Sequence, residues 1–241
     1  MKTLIALLMI SQMPVQAQFL AQQLRFERVK KAQEKTGKSL ADQLKKSGYS
    51  IDNLHLMLVA YKEEQQLDVY LKAKSEKQFS LWKSLPVCAS SGDLGPKYQQ
   101  GDLQVPEGCY WIDRFNPSSL YHLSLGLNYP NAADRKRSSA EDLGGDIFIH
   151  GKCVTIGCLP LTDQLIEPLY LLAVHARNNG QNQIPVYVFP FELSEARLAK
   201  EKQNKHYQFW KSLQVGYQRI VAKPKALKWK TDARGNYIFE P

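Results

Sequence analysis

The chain has 241 residues, 44% of them hydrophobic, and a formal net charge of +9. That length suits one substantial domain with extensions. Four cysteines in so long a chain exclude a disulfide-dense scaffold, and no nucleic-acid-binding module is legible among the basic residues. Lys and Arg gather between Arg25 and Lys46 and again between Arg197 and Lys230. Most read as solvated helix faces; attraction to an anionic surface or polymer is the sharper alternative.

Residues 1–17 have the form of a secretory signal peptide. Lys2 supplies the positive start, Thr3 to Ile10 a short apolar core, and Val15-Gln16-Ala17 a small-residue cleavage site before Gln18. The apolar run is far shorter than the roughly 20 residues that span a bilayer. A buried N-terminal helix is the competing reading. Export predicts an oxidising compartment and argues against nucleic acid as a partner.

Residues 18–49 form a polar, helical segment, with Ser39 as a second N-cap and Gly48 as its stop. At His55 the hydrophobic period changes. His55 to Tyr61 and Leu67 to Lys72 predict a hairpin, and Phe79 to Cys88 a further strand that Pro86 places at an edge or bulge. Ser90 to Lys97 and Gly101-Asp102 carry turn chemistry, and Pro106 to Ile112 returns to strand. Tyr121 to Tyr129 alternates strictly, so Tyr121, Leu123, Leu125, Leu127 and Tyr129 share one face and His122, Ser124, Gly126 and Asn128 the other. The polar face is either wet or the floor of a cleft. From Asn128 to Gly145 the pattern is a long polar loop of the kind that covers a site. Thr162-Asp163 opens a helix to Arg177, with Pro168 as a kink or first turn, and Val186 to Phe191 is a last core strand. Ser194 starts a basic helix to about Gln203. An aromatic segment (Tyr207, Phe209, Trp210) and a short strand from Gly235 follow.

The chemistry concentrates between Asp146 and Asp163. A strand-like run delivers His150 into a Gly turn, and Gly157-Cys158 closes a second run. Three readings compete. In the first, Cys158 is a nucleophile whose thiol His150 activates, and the backbone N–H groups of Gly157 and Cys158 form an oxyanion hole shaped by Thr155. In the second, His150, Cys153 and Cys158 ligate zinc with a distant fourth ligand, a spacing that matches no zinc signature. In the third, the thiols are structural, with Cys153 bonded to Cys88 or Cys109; a disulfide using Cys158 itself would defeat the first reading. His55, His175 and His206 are assigned no catalytic role.

Ile149-His150-Gly151 followed by Thr155-Ile156-Gly157-Cys158 resembles the catalytic signature of the YkuD-type L,D-transpeptidases. The closer resemblance is to the YafK branch. There the segments beginning at Ser91, Gly101, Asn116, His122, Asn128 and His150 recur in order, a likeness covering roughly residues 50–240. It implies a mainly β, sandwich-like catalytic domain over residues 50–192, preceded by the helical segment and followed by a basic, aromatic extension over residues 193–241 packed on it.

The resemblance also implies activity: Cys158 forms a thioester at the diamino-acid carbonyl of a peptidoglycan stem peptide, and His150 moves the proton. It calls for no metal or organic cofactor, and for a periplasmic location without a membrane span. His122, Ser124, Asn128 and Tyr129 are the candidate substrate-binding residues. Two departures from the wider family stand out: a short His-to-Cys spacing, and Pro160 where Arg or Asn is usual. Both are shared by the YafK branch. They leave open an amidase acting on a peptidoglycan–lipoprotein linkage, or a non-catalytic wall-binding protein.

Overall fold

The structure is a computed structural model and describes residues 15–241. The expected signal peptide therefore lies mostly outside the described residues. Its proposed cleavage site, Val15 to Ala17, begins helix α1 (Val15–Gln23). Helix α2 (Glu27–Lys46) runs on through Ser39, which is interior to it rather than a cap. Val29, Ala32, Leu40 and Leu44 give α2 one buried apolar stripe, and that stripe holds it against the domain.

The mainly β organisation expected from the sequence is realised as one curled sheet of eight strands with helices on its faces. In chain order these are β1 (Leu54–Tyr61), β2 (Gln66–Ala73), β3 (Ser80–Pro86), β4 (Gly108–Asn116), β5 (Ser124–Leu127), β6 (Phe148–His150), β7 (Leu159–Pro160) and β8 (Pro185–Phe189). Their spatial order is β3-β2-β1-β8-β4-β5-β6-β7. The β1–β8 and β6–β7 pairs are parallel. Strand β1 is central and apolar on both sides, as a strand covered on both faces must be. Leu54, Leu56, Leu58 and Ala60 meet one core, shared with α2 and α4 (Asp163–Asn178). Met57, Val59 and Tyr61 meet the other, shared with α6 (Tyr207–Ala222).

Three segments differ from the sequence reading. The Asn128–Gly145 stretch contains a short helix, α3 (Ala132–Arg137), closed by a capping box between Asn131 and Asp134. Arg137 and Lys136 on it bond to Gly235 and Thr231, so this stretch is tied to the C-terminus and is not a free cover. The basic helix expected to Gln203 is only α5 (Glu195–Ala199). The aromatic segment after it is α6, whose Phe209, Trp210, Leu213 and Ile220 recur at helical spacing. A ribbon of β9 (Trp229–Thr231) and β10 (Tyr237–Phe239) packs Tyr237 and Phe239 into the same core. Among the described residues, no helix is long and apolar enough to cross a membrane.

Candidate active site

Strand alternation builds the site. In β6, Ile149 points into the core, so Phe148 and His150 share the outer face. The parallel register pairs Ile149 with Leu159 and His150 with Pro160. Leu159 points inward, which turns Cys158 to the same outer face as His150, one step along the neighbouring strand. His150 and Cys158 both line a cleft of about 480 Å³, walled by Leu120, Tyr121, Phe148, Val154 and Ile156. Cys158 also lines a second cleft of about 290 Å³, bounded by residues such as Lys62, Ala89, Ser91 and Asp93. The thiol therefore stands where two clefts meet.

His150 Nδ1 lies 2.6 Å from the Gly151 carbonyl oxygen. A carbonyl only accepts, so Nδ1 carries the proton and Nε2 is left as the basic nitrogen of the neutral ring. Burial pulls the imidazole below its ordinary value, against the opposing pull of the Gly151 carbonyl. The ring of Tyr121 covers it, with centroids 4.8 Å apart. Burial pushes the Cys158 thiol up, while the Phe148 N–H, 3.4 Å from Sγ, favours the thiolate. No hydrogen bond joins His150 to Cys158 at rest, which is common before a substrate tightens such a pair.

Thr155 organises the turn before the nucleophile. Its Oγ1 accepts from Cys158 N (2.7 Å) and Gly157 N (3.2 Å) and donates to the Cys158 carbonyl (2.9 Å). The two N–H groups expected to face a reacting carbonyl are thus occupied by Thr155 in the resting structure. Gly157 has φ +137°, and a Cβ there would lie 3.0 Å from the Gln104 carbonyl oxygen, so glycine is required on both counts.

The other cysteines are accounted for. Cys88 and Cys153 form a disulfide, and Cys109 is a buried thiol in the α6-side core. The bonded Cys153 removes the His150–Cys153–Cys158 zinc set, and Cys158 is left free. The bridge spans 65 positions and fastens the loop between His150 and Cys158 to the segment leaving β3. Replacing both Cys88 and Cys153 with serine is expected to lower the unfolding free energy by about 2–4 kcal/mol, read as a lower urea midpoint.

None of the four candidate substrate residues lines either cleft. His122 falls before β5, at φ +68°, and its Nε2 pairs with Glu167 Oε1 at 3.1 Å. Ser124 sits directly across from His150 on the same face, but it is buried and bonded to Ser119 Oγ. Asn128 Oδ1 accepts from Trp111 N and prolongs the β4–β5 pairing, while Tyr129 is core and donates to the Leu143 carbonyl. The alternation was right for Leu123 to Tyr129, but the loop at Ser119 and the Arg114 side chain cover its polar face. The cleft walls missed from sequence are Leu120, Tyr121, Val154 and Ile156. Their signal was apolar residues in loop contexts: Leu120 and Ile156 are 84% and 76% exposed.

No family model matches the chain. It is 36% identical over 159 residues to the protein named "Putative L,D-transpeptidase YafK" of Escherichia coli K12, covering 65% of this chain and 63% of that one. The match to the protein of that name from strain O157:H7 has the same extent. The chain thus spans somewhat less than two thirds of the length of these relatives. Among solved structures, the helical cell shape determining protein Pgp2 of Campylobacter jejuni matches at 18% identity over 74% of each chain, with a TM-score of 0.44. Bd1075 of Bdellovibrio bacteriovorus matches at 19% over 70% of this chain and 71% of its own, with 0.40. L,D-transpeptidase 1 of Mycobacterium tuberculosis matches at 14% over 56% and 62%, with 0.31. At TM-scores this low, nothing about the site is carried over from the three.

Proposed function

We propose, from the 159-residue match to YafK, that the chain is a cysteine acyltransferase of the peptidoglycan of the L,D-transpeptidase family, exported to the periplasm. Cys158 Sγ attacks the carbonyl of the diamino acid in a stem peptide, and the thiol proton passes to His150 Nε2. The tetrahedral intermediate collapses, the carbon–nitrogen bond breaks, and His150 returns the proton to the departing amine. A second amine or a water then cleaves the thioester. The Gly157 and Cys158 N–H groups would stabilise the oxyanion by exchanging Thr155 Oγ1 for it. Two clefts meeting at one thiol suit a reaction in which an acyl group is delivered from one side and accepted from the other.

The observation that carries this reading is the free Cys158 thiol, set on the same strand face as a neutral histidine and open to a cleft. Of the remaining three cysteines, two are bonded and one is buried. A carbapenem-type acylating probe should add its mass once to the wild-type protein, and Cys158→Ala should abolish that adduct in intact mass spectrometry. A wild type that never labels would leave a non-catalytic wall-binding role. Digestion of purified sacculi then separates the finer alternatives. New cross-links between two diamino acids mark transpeptidation; release of a peptidoglycan-linked lipoprotein without them marks the amidase.

A further inference from the structure

A basic groove of about 420 Å³ lies between the end of α6 and the β9–β10 ribbon, and it shares no residue with either cleft at Cys158. Arg219, Lys223, Lys225 and Lys228 line it, against one acidic side chain, Glu240. That acid is already engaged: its carboxylate meets Lys230 at 3.3 Å, and its carbonyl accepts from Arg219. The three lysines are exposed, and none of them forms an ion pair among the described residues. The turn that carries them is anchored. The Pro224 carbonyl accepts from Phe79 N (2.8 Å), and Leu227 N donates to Tyr187 Oη (2.7 Å). Like charges gathered on a fixed surface repel one another, and an external anion relieves that repulsion.

Apolar side chains stand beside these cations. Ile238, 55% exposed, shares the outward face of the ribbon with Glu240, because side chains two apart on a strand point the same way. Its partner across the ribbon is Lys230. Val221, 59% exposed, adjoins Ala222, a wall of the groove. Side chains of this kind add nothing to the capture of a soluble polyanion, but they suit the boundary between headgroups and acyl chains. Three of the four lining cations are lysine, a mobile point charge, where a built pocket for one phosphate favours the arginine fork. The other basic stretch differs. On α2 the lysines are interleaved with Glu27, Glu34 and Asp42, and Lys31 pairs with Glu27.

We propose that this C-terminal surface docks the protein on a bilayer that carries anionic phospholipid. The lysines lie over the phosphates, and Val221 and Ile238 enter between the headgroups. The contact uses none of the residues at Cys158, so it stands apart from the cysteine chemistry proposed above.

The test is cosedimentation of the full chain with vesicles of phosphatidylcholine alone and of phosphatidylcholine mixed with phosphatidylglycerol. Binding should rise when phosphatidylglycerol is added and fall as salt screens it. Each lysine at an anionic surface is worth about fivefold, so Lys223→Gln, Lys225→Gln and Lys228→Gln together should weaken binding about 10²-fold. Removing three charges from α2 instead, with Lys30→Gln, Lys38→Gln and Lys45→Gln, should change it little. Val221→Thr with Ile238→Thr should weaken vesicle binding about tenfold and leave capture on dextran sulfate beads unchanged. Every side chain changed is exposed, so the urea midpoint stays at its wild-type value and a loss of binding reads as a lost contact. No gain from phosphatidylglycerol, or an equal loss in the α2 variant, would overturn the proposal. Full vesicle binding by the Val221→Thr, Ile238→Thr variant would also overturn it, and would assign the groove to a polyanion without a membrane.

Discussion

Exchanging His150 for glutamine should slow acylation of Cys158 by roughly 10²- to 10⁴-fold, the range for losing a positioned general base. The Gly151 carbonyl fixes the Nδ1 proton and leaves Nε2 basic. Burial holds the imidazole below its ordinary value and the thiol above its own. The resting pair is therefore neutral thiol and neutral imidazole, and the proton must move as the bond to carbon forms. In wild type the rate should fall on acidification only once pH drops through the lowered His150 value, below the usual ~6.5. It should then be nearly flat through neutrality. In His150→Gln the base is gone, so the residual rate should climb with pH as thiolate forms. Stopped-flow acylation across pH checks both shapes. A wild-type rate that climbs with pH as the variant does would remove His150 from the proton path.

How much of this was legible in the chain follows from the physics of each element. Strand-like apolar runs located β1, β2 and β8 to within two residues at each end, because strands covered on both faces are near-continuous apolar stretches that few loops imitate. Helix α4 was legible to its ends from Thr162-Asp163 and the Asn-Gly stop. Helix α6 was not, since Tyr207, Phe209 and Trp210 are neutral helix formers, and only packing against Phe191 and the second sheet face decides for helix. Ser39 looked like a cap because capping chemistry is local; the apolar stripe that carries α2 past it depends on α4 and β1. At the site, His150 and Cys158 stood out by residue type and spacing. The roles given to Ser124 and Asn128 failed for a tertiary reason. Alternation shows which face a side chain takes, but not whether a loop such as the one at Ser119 lies over that face.

The largest stability effect is expected far from the thiol in sequence, at Glu107. Its side chain is fully buried and accepts from Lys62 Nζ (3.0 Å), from Gly95 N (2.7 Å) and, at its other oxygen, from Trp210 Nε1 (2.7 Å). Lys62 Nζ also donates to the carbonyls of Asp93, Gly95 and Val105. One buried ion pair thus joins β1, the loop that walls the smaller cleft, the entry to β4, and α6. Glu107→Ala would leave a buried ammonium with carbonyl partners alone, and strand the Gly95 and Trp210 donors. A loss of about 3–5 kcal/mol is expected, because removing one partner exposes the full desolvation cost of the other. The urea midpoint should fall accordingly. Replacing both partners, Lys62→Met with Glu107→Leu, should recover the part of that stability lost to the uncompensated charge, while the Gly95 and Trp210 donors stay unpaired. The paired variant should still label poorly with the acylating probe, because Lys62 no longer gathers the Asp93 and Gly95 carbonyls that shape the cleft beside Cys158. Recovery of stability without recovery of labelling would assign the buried pair to the shape of the site as well as to the fold. Recovery of both would make it structural only.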